Sequence, residues 1–135
     1  MVLDESILSA VARGDAWVLT FLQRFDAAGR AMVIPALAVT AAALTTRTED
    51  AAAILHGLER MENVMAAPLD GAEQATRLAA VIIATGLEPW DAHVAAVADA
   101  SVCPILTVDA AKWRKHSRDL DEPLHFVEIA DPGDA

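Results

Sequence analysis

The sequence has few of the residues on which extracellular and zinc-dependent proteins are built. It contains one cysteine, Cys103, so no disulfide can form within the chain. No set of cysteines and histidines has the spacing of a zinc site. Cys103 lies in an apolar run, where a free cysteine behaves as a small buried side chain. We therefore expect a reducing compartment.

The sequence also lacks a secretory signal and a membrane-spanning run. Asp4 and Glu5 stand near the N-terminus, where a signal peptide would have basic residues before an apolar stretch. No apolar run reaches the roughly 20 residues that cross a bilayer. These two absences predict a soluble cytoplasmic protein.

Basic residues are scarce. Lysine and arginine number 10 against 20 acidic residues, which gives a formal net charge of -10. Such a surface repels phosphate backbones at long range, which excludes generic coating of nucleic acid but leaves room for a local basic patch. An acidic balance also suits a protein that gathers carboxylates around a divalent cation.

Hydrophobic residues make up 55% of the 135 residues, which is enough for the core of one domain. We expect this domain over residues 1–130 and a polar tail over 131–135. Apolar runs predict strands over residues 1–3, 31–34, 63–67, 102–108 and 125–129. The strand over 102–108 contains Pro104, which predicts strain or a position near a sheet edge.

Helical spacing of apolar residues fills the segments between these strands. Two helices are predicted before Gly29, a third over 35–44, and a fourth that a capping box over residues 46–49 opens and that reaches Arg60. Further helices are predicted over 70–84, from Glu88-Pro89 onward, and over 110–118. This alternation predicts a three-layer α/β domain with a mainly parallel sheet.

Three aspartates stand next to strand or helix ends. Asp4 and Asp109 each follow a predicted strand and precede a helix, and Asp91 lies in the first turn of a helix. Each alone is explained as a helix cap or as a charge that favours the helix dipole. Together they predict more, because the carboxyl ends of parallel strands gather at one edge where ligands bind. Converging carboxylates repel unless a cation such as Mg²⁺ or Mn²⁺ neutralises them.

Four segments together resemble the PIN domain, and most of all the VapC-type toxins of bacterial toxin–antitoxin pairs. They are Val2-Leu3-Asp4-Glu5-Ser6, Ile34-Pro35-Ala36-Leu37, Trp90-Asp91-Ala92-His93-Val94-Ala95-Ala96 and Leu106-Thr107-Val108-Asp109. The resemblance implies a sheet of about five parallel strands flanked by helices. It also implies a Mg²⁺ or Mn²⁺ site and the hydrolysis of single-stranded RNA.

Carried over position by position, the resemblance gives roles to five residues. Asp4, Asp91 and Asp109 match the catalytic acids that hold the metal ion. Ser6 matches a hydroxyl that supports the first acid, and Thr107 matches the threonine that steadies the last one. The resemblance further implies a homodimer and an antitoxin partner, with both surfaces on the early helices.

The sequence departs from the family pattern at one acid. The family usually has a glutamate on the helix after the second strand, and Ala41 stands at that position, in a segment from Ala31 to Leu44 that has no acid. Glu5 adds an acid beside Asp4, but adjacent helix residues do not face each other. Two hypotheses stay open: a metal-dependent endoribonuclease of the VapC kind, and a catalytically degenerate PIN domain that binds protein or RNA. A third, an unrelated α/β module with three caps, has less support from the sequence.

The helix after Asp109 holds four of the ten basic residues. Lys112, Arg114 and Lys115 could contact an RNA backbone, with Trp113 free to stack on a base. A solvated charged face with Trp113 packed inward is the simpler interpretation, and we favour it.

Two further features are interpreted as structural. His93 lies two residues after Asp91 and points away from it on a helix, which predicts a structural or partner-facing role. Trp17, Phe21 and Phe25 form an apolar stripe for which core packing is the default interpretation.

Overall fold

The computed structural model describes residues 1–118, 122–131 and 133, and it consists of a parallel sheet wrapped by helices. The sheet contains β1 (Val2–Leu3), β2 (Met32–Pro35), β3 (Val64–Ala67), β4 (Ile105–Thr107) and β5 (Phe126–Glu128). The helices within the described residues are α1 (Glu5–Ala12), α2 (Ala16–Ala27), α3 (Ala36–Thr46), α4 (Glu49–Glu59), α5 (Gly71–Thr85), α6 (Pro89–Ser101) and α7 (Ala110–Ser117). The predicted three-layer α/β architecture is confirmed.

Every strand pair is parallel, and the strands lie in the order β3-β2-β1-β4-β5. The chain therefore starts in the middle of the sheet, builds outward through β2 and β3, and returns to add β4 and β5 on the other side of β1. This reversal makes the gap between the carboxyl ends of β1 and β4 the topological switch point, where open α/β sheets bind ligands.

The strand predicted over residues 102–108 is shorter than expected, and it lies inside the sheet and not at its edge. Val102 and Cys103 belong to the end of α6, since their amides donate to the Asp99 and Ala98 carbonyl oxygens at 3.3 Å and 3.1 Å. Val102 takes a left-handed conformation there, with φ of 53°. The predicted edge position of Pro104 is wrong: β4 lies between β1 and β5, and the Pro104 carbonyl accepts the Val2 amide at 2.9 Å.

The capping box predicted over residues 46–49 is displaced by one half-turn. Thr46 is still part of α3, where its hydroxyl donates to the Ala42 carbonyl at 3.0 Å. Arg47 ends α3 in a left-handed conformation, and Thr48 caps α4 by accepting the Ala51 amide at 3.1 Å. The connection between the two helices therefore consists of Arg47 and Thr48 and lies two positions later in the chain than the motif predicts.

The core lies between the sheet and its helices. Val2, Leu3, Leu106 and Trp113 are fully buried, as are Ile7 and Leu8 on α1. The aromatic stripe on α2 packs partly against this core, and Trp17, Phe21 and Phe25 contact one another edge to face. Within the described residues, no helix is both long and apolar enough to cross a membrane. The predicted tail over 131–135 falls largely outside the described residues.

Candidate active site

Asp4 lies at the topological switch point, directly after β1, and is fully buried. Its Oδ1 accepts hydrogen bonds from the Ser6 hydroxyl at 2.6 Å and from the Ile7 amide at 3.1 Å, the second of which caps α1. Its Oδ2 accepts the Trp113 indole N–H at 2.8 Å. Both carboxylate oxygens therefore already have partners from the protein.

Asp91 reaches the same place from the first turn of α6. It is buried as well, with 4% of its surface exposed. The structure therefore brings together two of the three aspartates that the sequence singled out. Burial raises the pKa of Asp91 above its ordinary value of 3.8, and the nearby charges of Asp4 and Glu5 add to this rise, while Lys112 opposes it.

The Lys112 ammonium lies between these two acids. Its Nζ is 3.0 Å from Asp91 Oδ1 and 3.5 Å from Asp4 Oδ2, and it also stands 5.2 Å from the centre of the Trp113 ring. Burial lowers the pKa of Lys112, but attraction to Asp4 and Asp91 outweighs burial, so the pKa lies above 10.5 and the side chain keeps its charge. The sequence left two interpretations of Lys112, an RNA contact or a place on a solvated face. In the structure its ammonium faces the two acids, and its contact with RNA stays a prediction.

Asp109 stays apart from the other two acids in its contacts. It is exposed, and its Oδ1 accepts the Lys112 amide at 3.3 Å, which makes it the N-cap of α7. The Glu128 carboxylate on β5 accepts the neighbouring Ala110 amide at 3.0 Å and secures the same helix end. The observed contacts of Asp109 are therefore those of a helix cap.

Ser6 and Thr107 connect β1 to β4 beneath Asp4. The Ser6 hydroxyl gives its proton to Asp4, so it accepts from the Thr107 hydroxyl at 3.1 Å and from the Val108 amide at 3.0 Å. Thr107 Oγ1 in turn accepts the Asp109 amide at 2.9 Å. Ser6 therefore bonds directly to the Asp4 carboxylate, and Thr107 bonds to the backbone amide of Asp109.

The position of the family glutamate is apolar. Ala41 is buried on α3, a helix that packs against α1 and α6, the helices next to Asp4 and Asp91. Glu5 does not take its place in the contacts, because its carboxylate accepts the Ser9 hydroxyl at 2.6 Å. Among the described residues, no group of three or more histidine, cysteine, aspartate or glutamate side chains is arranged to hold a metal ion.

The donor set therefore does not fit a divalent cation. Mg²⁺ requires near-octahedral oxygen ligands, and Ca²⁺ requires more of them. Here the two convergent carboxylates already accept hydrogen bonds or face an ammonium, and an alanine side chain offers no ligand. The resemblance to PIN domains implies a divalent metal, and the described residues do not form a group that would hold one.

Sequence reasoning missed the roles of Lys112 and Trp113 at the acids. Trp113 is fully buried and is therefore not available to stack on a base, as the favoured structural interpretation of this helix predicted. A usable signal was present: Lys112 and Trp113 follow Asp109 by one helical turn, on a helix that begins at the carboxyl end of β4. Arg114 and Lys115 are exposed, and their contact with RNA stays a prediction.

His93 has a structural contact, as predicted. It is buried on α6, and its Nδ1 accepts the Leu37 amide at 3.4 Å, in the first turn of α3. Burial lowers the pKa of His93 below its ordinary value of 6.5. The neutral ring therefore joins the starts of the two helices beside the acids.

Comparison with known proteins agrees with this fold. The family model described as "PIN domain" matches residues 1–118. Among solved structures, PAE2754 from Pyrobaculum aerophilum is similar, with a TM-score of 0.54 and 20% sequence identity, covering 93% of this chain and 81% of that one. No curated protein matches the sequence. The family match spans most of the chain, and the chain belongs to the PIN domain family, whose fold is of the nuclease type.

Proposed function

We propose that this PIN domain acts as a protein-binding module and not as a metal-dependent nuclease. One observation supports the proposal above the others: the described residues bring two carboxylates together where the chemistry of the family needs more. Ala41 is buried at the position of the glutamate, and Asp109 caps a helix. Two carboxylates with their oxygens already hydrogen-bonded are a poor site for a hard divalent cation.

The charge of the molecule favours a protein partner over RNA. A net charge of -10 opposes the approach of a phosphate backbone. Trp113, the aromatic residue of the basic helix, is buried and offers no stacking platform. A partner with basic side chains would be drawn by the same field. The VapC-type toxins that the sequence resembles bind antitoxins, which makes a small protein partner the natural expectation.

Calorimetry with Mn²⁺ tests the loss of the metal site. The unmodified chain is expected to show no saturable binding at millimolar Mn²⁺, because Asp4 and Asp91 already have partners. The control is Asp91→Asn. Saturable binding that disappears in this variant would contradict the proposal, since it would show that the acids form a working metal site.

A cleavage assay tests the loss of activity. Single-stranded RNA incubated with the chain and either Mg²⁺ or Mn²⁺ is expected to stay intact. The decisive control is Asp109→Asn, which removes the charge and keeps a side chain that can cap α7. RNA cleavage that this variant abolishes would place Asp109 in a mechanism and would refute the proposal.

Co-expression tests the binding role. Where a small reading frame lies beside this gene, its product is expected to elute with the chain in fixed stoichiometry and to separate at high salt, because surface charge pairs are screened there. Separate elution at low salt would count against a partner of this kind. A DNA-binding fold in the partner would identify it as an antitoxin.

A second candidate function is the endoribonuclease of the VapC kind, acting as a homodimer on single-stranded RNA. The observation that favours it is the convergence of Asp4 and Asp91 at the topological switch point. The hydrogen bonds of Ser6 to Asp4 and of Thr107 to the Asp109 amide support it as well. The same cleavage assay separates the two candidates, since RNA cleavage sensitive to Asp91→Asn would favour this one.

A further inference from the structure

We infer that the Lys112 ammonium is the resident cation of this site, a tethered replacement for the divalent metal of a PIN domain. The inference extends the proposed function, because it explains how the fold tolerates two buried acids without a metal ion. Lys112 Nζ lies 3.0 Å from Asp91 Oδ1 and 3.5 Å from Asp4 Oδ2, which is the bridging position between the carboxylates.

Burial makes a cation necessary at this position. The side chains of Asp4 and Asp91 are 0% and 6% exposed, and that of Lys112 is 18% exposed. Two carboxylates so far from water repel each other strongly unless a positive charge stands between them. Within the described residues, Asp4 and Asp91 have salt bridges to Lys112 and to no other side chain. The ammonium is therefore their common counter-charge.

The fold fixes the ammonium where it is needed. Asp109 caps α7, and this cap sets the first turn of the helix that carries Lys112. The next residue, Trp113, is fully buried and hydrogen-bonded to Asp4, so it anchors that turn against the acids. These two contacts fix the backbone of the turn that carries Lys112.

The alanine at position 41 and the lysine at position 112 are consistent with each other. A divalent ion is usually bound by several carboxylates, whereas one ammonium, with a single positive charge, neutralises fewer carboxylates. With Ala41 in place of an acid, the site holds Asp4 and Asp91 against one Lys112. Two carboxylates and one ammonium leave a net charge of -1 on this smaller cluster, half of what the two acids alone would carry.

The substitution Lys112→Met tests the inference by thermal unfolding. Methionine keeps the length and the apolar stem of the side chain but removes the charge. The melting temperature is expected to fall by about 10 °C or more, because removing one partner leaves buried charges uncompensated. The matched control is Lys115→Met on the same helix, whose exposed lysine should change the melting temperature by no more than about 2 °C. An unchanged melting temperature for Lys112→Met would overturn the inference.

Addition of Mn²⁺ tests whether the ammonium stands in for a metal. At about 5 mM Mn²⁺ the Lys112→Met variant is expected to regain about 5 °C, since binding to the folded state alone raises stability. The unmodified chain and Lys115→Met should not respond. The inference would be overturned if Mn²⁺ did not raise the melting temperature of Lys112→Met, or if it raised that of the unmodified chain equally.

A second variant keeps the test decisive if Lys112→Met fails to fold. In the double variant Lys112→Met, Asp91→Asn, one of the two facing charges is gone, so most of the lost stability should return. Mn²⁺ should also leave the melting temperature of the double variant unchanged. If it is no more stable than Lys112→Met alone, the loss comes from packing and the inference is wrong.

These outcomes stay separate from those of the proposed function. RNA cleavage by the unmodified chain would refute the non-catalytic role without touching the melting temperatures of the Lys112 variants. Conversely, if Lys112→Met melts at the same temperature as the unmodified chain while RNA stays intact and Mn²⁺ does not bind, the tethered cation is refuted and the binding role stands.

Discussion

At the scale of single residues, the buried acids are held by donors both near to them and far from them in sequence. Asp4 receives hydrogen bonds from Ser6 and from Trp113, the second across 109 positions of the chain. Within the described residues, no buried side-chain nitrogen or oxygen lacks a partner. A network in which every buried polar atom has a partner stabilises one arrangement of side chains. If one donor is removed, a buried carboxylate oxygen loses its hydrogen bond, and the folded state loses stability.

Trp113→Phe measures the worth of the indole hydrogen bond. The ring volume is mostly kept, but Asp4 Oδ2 loses a donor at 2.8 Å and retains Lys112 at 3.5 Å. We expect the free energy of unfolding to fall by about 2 kcal/mol, the usual cost of a lost hydrogen bond to a buried charge with some loss of packing. Urea unfolding followed by circular dichroism measures the change.

The control for this variant is Trp17→Phe. Trp17 is half-buried and packs edge to face on Phe21, with no described hydrogen bond from its indole. An equal loss in the two variants would show that ring size, and not the bond to Asp4, sets the cost.

At the scale of elements, local signals predicted the helices well and their ends less well. The periodic segments on α1, α2 and α5 lie where the sequence indicates, because their apolar faces and glycine breaks are local. The sequence predicts that the cap of α4 is Thr46, but α3 continues through that residue. A capping box is defined only by two residue types three positions apart. It therefore does not predict how far the preceding helix extends.

Thr48→Ala tests the observed cap of α4. The variant loses the hydroxyl that accepts the Ala51 amide at 3.1 Å, so unfolding should become easier by about 1 kcal/mol. The comparison is Thr46→Ala, which removes a hydroxyl bound within α3 and should cost less than half as much. Denaturant midpoints of the two variants decide between the caps, and the reverse order would favour the motif as first interpreted.

His93 gives the joint between α3 and α6 a dependence on pH. Burial lowers its folded pKa below 6.5, so the folded state favours the neutral ring that accepts the Leu37 amide. The contribution of His93 to stability is therefore complete above pH 6.5 and is lost as the pH falls through the lowered folded pKa. Protonation would also place a positive charge at the start of α3, against the helix dipole.

The measurement is the free energy of unfolding at pH 7.5 and at pH 5.5. The unmodified chain should lose more stability between these values than His93→Gln does. His56→Gln, at an exposed position, should lose as much as the unmodified chain. Equal losses in all three proteins would show that His93 does not titrate on unfolding.

At the scale of the whole molecule, the alternation of strands and helices was enough to predict the sheet, but not the contents of the site. Parallel order and the position of Asp4 and Asp109 after strands follow from short-range patterns. The exchange of a metal ion for Lys112 does not, because it depends on where one side chain of α7 points after β4 has docked beside β1. The sequence shows that position 41 is an alanine and not an acid. Only the structure shows that the Lys112 ammonium lies between Asp4 and Asp91.

The strand order predicts which amides exchange slowly with solvent. β1 and β4 have neighbours on both sides, whereas β3 and β5 are edge strands with exposed residues such as Met65 and Val127. Hydrogen exchange should therefore be slowest at Asp4 and Leu106 and at least tenfold faster on β5. Uniform protection across the sheet would mean that it opens as one unit.

The position of β1 in the middle of the sheet has a consequence for how the protein forms in the cell. Val2–Leu3 leaves the ribosome long before its partner strand Ile105–Thr107, and Asp4 leaves it long before Lys112 and Trp113. A nascent chain stopped before α7 would carry both acids without their counter-charge. Folding is therefore expected to finish after synthesis, late and in one step, and prematurely ended chains should be cleared by proteases instead of persisting as partial domains.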